Sequence, residues 1–431
     1  MKVAILGFGV VGQAVARLVH SKHADRLAVT HVFNRHVASK RDGLGDRASL
    51  PAGVVWTEDI DEVLSSGADV IVELLGGVTP AATYIRQALE SGASVVTANK
   101  QVVARHGPEL LAVACARGVE FRFEGSVAGG IPVLRAIEDG LCGDSLTRVA
   151  GVVNGTSTHI LSRMEAGETF AGALAEAQAL GFAEADPSDD LTGRDAAAKL
   201  AILTATALGR PVHCSDISCR SIETIEAVDF RYARELGCTI RQVAWAETGA
   251  TRGQVIAAVR PALVSHRSPL AGVTGNQNVV TVVGEFGGET AFFGRGAGGE
   301  ATAVAVVSDI LAIAGARDRA RRAPRRAFAA GGSPGNSVTS DFVAPHYIRF
   351  VVRDRPGIIA AVSSVFARYR VSINAVLQHP GWPASELPFV MTLEACGESC
   401  LDRAMTEIGA MDFHVKPPIV LPIFDASRGA V

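Results

Sequence analysis

The run Gly7-Phe8-Gly9-Val10-Val11-Gly12 follows the apolar stretch 3–6 directly and opens a helical pattern at 13–20. Its glycines meet three separate needs. The first permits a tight turn, the second lets backbone N–H groups approach a pyrophosphate, and the third lets helix pack on strand with the helix N-terminus facing the anion. A strand, this loop and a helix in succession predict a parallel, doubly wound sheet that binds a dinucleotide through residues 7 to 12. The next hundred residues agree: β-branched runs at 28–33, 69–72, 94–97 and 119–123 alternate with helical segments at 59–65, 80–91 and 108–117.

The residue after the second strand separates cofactors, because an acid there holds the ribose 2′-hydroxyl and repels a 2′-phosphate. This chain has Asn34-Arg35-His36, then Lys40-Arg41. NADP(H) is therefore expected to be accepted, with NAD(H) as a second cofactor and Arg35 as the 2′-phosphate contact; a solvated surface arginine is the bland alternative.

At 431 residues the chain is too long for one core and predicts two or three domains. Apolar residues at 48% and charged residues at 20% exclude disorder over most of its length. A formal net charge of −3, with no basic block outside one short linker, gives no electrostatic support for a nucleic-acid or anionic-membrane partner. Small molecules are the expected partners. Seven scattered cysteines lack zinc-ligand spacing, which fits a reducing cytoplasm. The apolar run 3–19 is broken by Gly7, Gly9, Gly12 and Arg17, so neither a cleaved signal nor a membrane span is expected.

The expected class is α/β: a Rossmann-type doubly wound domain over 1–128, completed by an apolar helix returning within 295–318, then an α+β domain over 129–294. A linker at 319–344 carries Arg319, Arg321, Arg322, Arg325 and Arg326 before Gly331-Gly332-Ser333-Pro334-Gly335. Residues 345–425 read β-α-β-β-α-β, a ferredoxin-like module.

Three segments carry candidate chemistry. Thr97-Ala98-Asn99-Lys100 places a lysine at the carboxyl edge of the sheet, where open α/β folds bind ligands. The glycine-rich turn from Glu124 to Pro132 is either a hinge or a set of carbonyls and one carboxylate able to ligate a hard cation. The densest segment, 177–199, leads four acids, Glu184, Asp186, Asp189 and Asp190, onto a helix with Asp195 and Lys199 on one face. Such a pair is commonly a solvated salt bridge. Here the face continues as Ile202, Leu203 and Thr206, so Lys199 borders an apolar surface where an ammonium is costly unless paired or used.

Segment 177–199 resembles, position by position, the signature of homoserine dehydrogenases: Ala177, Gly181-Phe182-Ala183, Asp186-Pro187, Asp190-Leu191, Gly193, Asp195 and Lys199. Thr97 to Lys100, Glu124 to Pro132, Gly151 to Leu161 and Gly294 to Gly298 match as well, so the resemblance covers roughly residues 1 to 315. The C-terminal module is similar to an ACT domain, with Asp354-Arg355-Pro356-Gly357 after its first strand and Ser372-Ile373-Asn374 in its second.

The resemblance implies reversible NAD(P)-dependent interconversion of L-homoserine and L-aspartate 4-semialdehyde, a step toward threonine, methionine and isoleucine, with 129–294 as an α+β substrate and dimerisation domain. It implies Lys199 as the group that protonates the alkoxide in the reducing direction, with Lys100 close by and touching the nicotinamide end. A lysine begins near pKa ~10.4, and neighbouring ammonium groups lower one another, so alcohol oxidation is expected to be favoured at alkaline pH. Glu184 and Asp190 are implied to hold the substrate α-ammonium, and Asp195 to orient Lys199 or bind substrate. The Asn154-Gly155-Thr156 turn is implied to offer donors to the α-carboxylate or cofactor. Glu124 with the carbonyls of Val127, Gly129 and Ile131 would bind a monovalent cation, sodium, and Gly296 would lie against the cofactor.

Cys219-Arg220-Ser221-Ile222 departs from the Glu-Gly-Ile usual in the family. The ACT-like module implies an amino-acid effector, threonine, or alternatively an aid to assembly as a homodimer or homotetramer. Two rivals remain. An aspartate-semialdehyde dehydrogenase needs a cysteine thiolate, and no cysteine here adjoins a catalytic-looking cluster. A non-catalytic NADP and amino-acid sensor has no use for a proton donor such as Lys199.

Overall fold

The computed structural model describes residues 1–42, 50–51, 53–251, 253–318 and 336–424. Contacts divide the chain into two compact units, Met1–Val153 with Ala198–Ser215 and Gln277–Asn336, and Asn154–Ala197 with Asp216–Asn276 and Ser337–Val431.

In the first unit, β1 (Lys2–Leu6), β2 (Ala28–Phe33), β3 (Val55–Thr57), β4 (Val70–Glu73), β5 (Ser94–Thr97) and β6 (Phe121–Arg122) form one parallel sheet in the order β3-β2-β1-β4-β5-β6. The order reverses beside β1, which places the glycine loop at the switch point of the sheet. Val3, Ile5, Val72 and Val96 share a core with Val15 and Val19 of the helix Val10–Lys22. The same core takes Val306, Val307, Ile310 and Ile313 from the helix Gly299–Asp318. Over Gly299–Ala316 that helix is long and apolar enough to cross a membrane, and its apolar face packs on the nucleotide sheet.

The helix after β5 starts earlier than expected. Proline at 108 looked like a helix start; the helix runs Lys100–Arg117 with Pro108 inside it, because the Asn99 side chain accepts from the Val102 N–H at 3.2 Å and caps the end ahead of it. Lys100 is thereby its first residue. Beyond β6 an antiparallel trio, Leu146–Val152, Gln277–Gly284 and Gly288–Arg295, completes the unit's sheets.

The second unit is built on the hairpin Cys238–Thr248 and Gln254–Ser265, paired from Thr248↔Val255 to Cys238↔Ser265. The C-terminal module has the expected β-α-β-β-α-β order: Val343–Val352, Ile358–Arg368, Ile373–Leu377, Leu387–Gly397, Glu398–Gly409 and His414–Phe424. Its last strand pairs parallel with the hairpin at Leu263↔Ile423 and Val264↔Phe424. Strand alternation then gives the module two buried faces. Ile348, Phe389 and Met391 face its own helices, whereas Tyr347, Val390 and Leu421 join Ile160, Leu161, Phe230 and Ile240.

The compact units are therefore drawn differently from the expected partition, because strand pairing merges the C-terminal module with residues of the middle segment. Most of the expected linker, including the clustered arginines from Arg319 onward, lies outside the described residues. Its end is strand: Ser337–Thr339 pairs parallel with Gln254, Val255 and Ile256, and the next strand starts at Val343.

Candidate active site

Gly7 takes φ +96°, and a Cβ there would stand 2.7 Å from the Leu74 carbonyl oxygen; one on Gly12 would stand 2.3 Å from the Gly7 oxygen. Neither position admits a side chain. A Cβ on Gly9 meets nothing within 4 Å, so the middle glycine faces open space at the start of the helix Val10–Lys22. This cradle fits a dinucleotide pyrophosphate. The Phe8 ring is fully buried, edge-on to Trp56 with centroids 4.9 Å apart, so this residue offers its backbone to a ligand and its side chain to the core. Val10 is exposed and Val11 half-buried.

Past β2, Arg35 is exposed, and the Asn34 side chain accepts from the His36 N–H at 3.1 Å. The cleft beside this turn encloses about 620 Å³ and is lined by Val37, Ala38, Arg41, Trp56 and Glu58. Among the described residues lining it the cation is Arg41, and an acid is present after all: Glu58, just after β3, accepts from the Val37 N–H at 2.8 Å. A reading confined to the residues after β2 misses it.

Lys100 follows a braced turn. The Glu73 carboxylate, fully buried at the end of β4, accepts from the Thr97 hydroxyl at 2.6 Å and the Leu75 N–H at 2.7 Å. The Thr97 hydroxyl oxygen accepts the Asn99 N–H, and the Asn99 amide donates to the Gly77 carbonyl at 2.6 Å. Burial raises the Glu73 pKa against these hydrogen bonds. Glu73 was missed, although an acid closing an otherwise apolar strand was its signal.

Glu124 is also buried, and its two carboxylate oxygens accept the Leu134 and Arg135 N–H groups, each at 2.9 Å. Its own N–H donates to Asp309 at 2.9 Å, and Arg135 donates to the other Asp309 oxygen at 2.8 Å. Burial, then the Asp309 charge, push the Glu124 pKa up to about 7. Asp309, unnoticed in the sequence, is the acid inside the apolar helix Gly299–Asp318. Ala128 and Gly129 both take φ 54°, and a Cβ on Gly129 would stand 2.6 Å from the Gly296 oxygen. The Ile131 carbonyl accepts from the Val133 N–H at 2.8 Å. Among the described residues no group of three His, Cys, Asp or Glu side chains could hold a metal.

Lys199 is half-buried on the helix Arg194–Leu208, and its ammonium donates to the Val153 carbonyl at 2.7 Å. The same oxygen takes the Asn278 amide at 3.1 Å, while the buried Asn278 Oδ1 has no partner among the described residues. A Cβ on Gly296 would lie 2.0 Å from the Asn278 amide carbon, so only glycine fits there.

In the second unit, Asn154 does three jobs. Its Oδ1 caps the helix Gly155–Glu165 by accepting from the Ser157 N–H at 2.8 Å, and its Nδ2 donates to Asp190 at 2.7 Å and to Asp195 at 2.8 Å. Two acids of one segment are thus held side by side by an amide distant from them in sequence. Gln242, buried and missed, receives the Ser157 hydroxyl at 3.0 Å and donates to the Asp190 carbonyl at 3.3 Å. Two predicted residues stand apart. Thr156 spends its hydroxyl proton on the Phe182 carbonyl at 2.7 Å, and Glu184 is exposed and makes no side-chain bond to this cluster among the described residues.

Comparison with known proteins gives one family over most of the chain. The profile of the homoserine dehydrogenase NAD-binding domain matches residues 7–124, that of homoserine dehydrogenase matches 132–311, and that of the ACT domain matches 346–410. A homoserine dehydrogenase of Mycobacterium tuberculosis is 40% identical over 395 residues, covering 87% of this chain and 86% of its own. One of Bacillus subtilis is 36% identical, covering 88% of each. The crystal structure of a homoserine dehydrogenase from Thiobacillus denitrificans superposes with a TM-score of 0.90 at 32% identity, covering 99% of both chains. A hyperthermophilic archaeal homoserine dehydrogenase solved in complex with NADPH covers 72% of this chain and 96% of its own, with a TM-score of 0.62 and 28% identity. On these matches over most of its length, the chain belongs to the homoserine dehydrogenase family, the NAD(P)-dependent oxidoreductases of a CH–OH group.

Proposed function

We propose that the protein interconverts L-homoserine and L-aspartate 4-semialdehyde with Lys199 as the proton-transfer group, serving threonine, methionine and isoleucine synthesis in the cytoplasm. The observation that carries this reading is the Lys199 bond to the Val153 carbonyl, which fixes the nitrogen at one place. The nicotinamide, when bound, supplies the hydride acceptor at C4. In alcohol oxidation Lys199 Nζ, as the neutral amine, takes the hydroxyl proton as hydride leaves the same carbon; in reduction its ammonium returns that proton to the alkoxide. Lys100 adds a second cation at the carboxyl edge of the sheet.

Asp190 and Asp195, held by the Asn154 amide, are paired acids suited to an α-ammonium, and Glu184 is a further acid of the same loop. Backbone at Gly7, Gly9 and Gly12 would hold the pyrophosphate, Arg35 with Arg41 the 2′-phosphate of NADP(H), and Gly296 the cofactor's other end. The Glu124 carboxylate, lifted by burial and by Asp309, is a place where sodium held with the Val127, Gly129 and Ile131 carbonyls would offset charge. Threonine is the proposed ACT effector, and a homodimer or homotetramer the proposed assembly.

The test follows nicotinamide absorbance with full-length protein, L-homoserine and NADP⁺ or NAD⁺ at alkaline pH, with and without threonine. Turnover that vanishes in Lys199→Ala supports the reading. A folded protein that binds NADPH and turns over with neither cofactor would be a sensor instead.

A further inference from the structure

Residues 219–222 connect two parts of the second unit that the reaction does not obviously need to connect. Ser218 and Cys219 pair parallel with Ala258 and Val259, and the Arg220 N–H donates to the Val259 carbonyl at 2.9 Å. The next two residues both approach one atom: the Leu191 carbonyl accepts the Ile222 N–H at 3.1 Å, and the Ser221 hydroxyl oxygen lies 3.2 Å from it while its shorter hydrogen bond, 2.7 Å, goes to the Glu223 carboxylate. Leu191 adjoins Asp190, whose carboxylate takes the Asn154 amide. The Arg220 side chain runs the other way, to Glu398 at 2.8 Å and Asp402 at 3.2 Å on the helix Glu398–Gly409 of the ACT-matching module.

Glu398 is buried and gathers Arg260 and His346 as well as Arg220, with His346 Nε2 at 3.1 Å. Arg220 is the half-exposed member of that set. Removing it strands no buried charge, because Glu398 keeps Arg260, so the link can be cut without the large penalty of an unpaired buried ion.

We propose that Arg220 is a positioning residue through which the ACT-matching module's second helix sets the substrate affinity of the Asp190 loop. The link rests on the reading of Asp190 as a substrate-ammonium contact. A shift of the helix Glu398–Gly409 moves the Arg220 anchor, and the Ile222 bond that follows it in the chain carries the shift to Leu191. Coupling of this kind is demonstrated by non-additive effects, not by proximity.

The test measures kcat and both KM values for the full-length wild type, Arg220→Ala, Arg220→Lys, Asp402→Asn and the Arg220→Ala/Asp402→Asn double variant. Arg220→Ala is expected to raise the KM for L-homoserine roughly threefold to tenfold, with kcat and the KM for NADP⁺ within about twofold of wild type. Arg220→Lys should recover most of the loss. Asp402→Asn, altering an exposed partner and leaving the core intact, should give a smaller rise that disappears in the Arg220→Ala background. An unchanged KM for L-homoserine, an equal loss in all three parameters, or additive effects in the double variant would overturn the link. Asp190→Asn separates the two possible failures: raised KM there with unchanged KM in Arg220→Ala removes the link alone, whereas unchanged KM in both removes the role of Asp190 beneath it.

Discussion

The Lys199 ammonium donates to the Val153 carbonyl oxygen at 2.7 Å, and that oxygen is shared with the Asn278 amide at 3.1 Å. The carbonyl thereby holds the proposed proton-transfer nitrogen, and Asn278 holds the carbonyl. Asn278→Ala removes the second donor and leaves the first. The expected result is a fall in kcat of roughly threefold to tenfold, the scale of one hydrogen bond, with the KM for L-homoserine little changed. Steady-state kinetics at saturating NADP⁺ checks this.

Asn154 separates folding from binding, because its oxygen caps a helix while its nitrogen holds Asp190 and Asp195. Asn154→Asp keeps a capping acceptor and loses both donors, bringing a third acid into the cluster. Asn154→Ala loses both functions. The alanine variant should lose about 1 kcal/mol or more of stability through the cap, while both variants raise the KM for L-homoserine. Denaturant unfolding and kinetics, read together, distinguish the two roles.

The cleft beside β2 predicts cofactor choice. Arg41 and Glu58 face it with opposite charges. Arg41→Ala should raise the KM for NADP⁺ roughly tenfold and leave that for NAD⁺ nearly unchanged, as expected for loss of a phosphate contact. Glu58→Gln should shift preference toward NADP⁺. The ratio of kcat/KM for the two cofactors is the readout.

Glu124 and Glu398 tilt stability with pH in opposite directions. Glu124 in the folded protein is raised from 4.5 to about 7, by burial first and the Asp309 charge second. Between those values the native state holds a proton that the unfolded state has lost, so stability is fullest below the unfolded value and falls as pH rises through about 7, by about 3 kcal/mol. Buried Asp309 is raised too and adds in the same direction. Thermal unfolding should show that decline in a choline buffer, a smaller one in sodium, and none of the Glu124 share in Glu124→Gln. A sodium-independent slope would contradict the proposed cation site.

For Glu398, burial alone would raise the pKa, but the His346 hydrogen bond and the Arg260 and Arg220 charges hold it at about 2. Its contribution is present above the unfolded value of 4.5 and is lost as pH falls through about 2, again by about 3 kcal/mol. Glu398→Gln should flatten acid unfolding over that range. It should also lower stability at neutral pH, because Arg260 is buried beside it.

What the sequence made legible was local. The glycine loop, most of the strand and helix alternation and the β-α-β-β-α-β module are each written in short contiguous runs and are found in the structure, whereas the three-residue strand Val55–Thr57 was too short to be read from the sequence. Glu73, Asp309, Gln242 and Asn278 were not legible, since each acquires its partner through packing across many residues. Asp309 meets Glu124 only because the returning helix lies on the sheet. Helix starts at Lys100 and Val10 were misplaced for another reason: Pro108 and Gln13 look like beginnings, but the preceding cap or turn decides the first residue. The pairing of the C-terminal module with the hairpin at Leu263↔Ile423 was hidden as well, because an edge strand carries no mark of its neighbour.

The central claim is that Lys199 moves the hydroxyl proton. The most direct measurement is the rate of L-homoserine oxidation by Lys199→Ala at saturating NADP⁺ and alkaline pH, alongside its NADPH affinity. The expected result is a fall in kcat of roughly a hundredfold to ten-thousandfold, the range for a general acid–base group, with NADPH affinity within about twofold of wild type. A folded Lys199→Ala protein turning over at near the wild-type rate would contradict it.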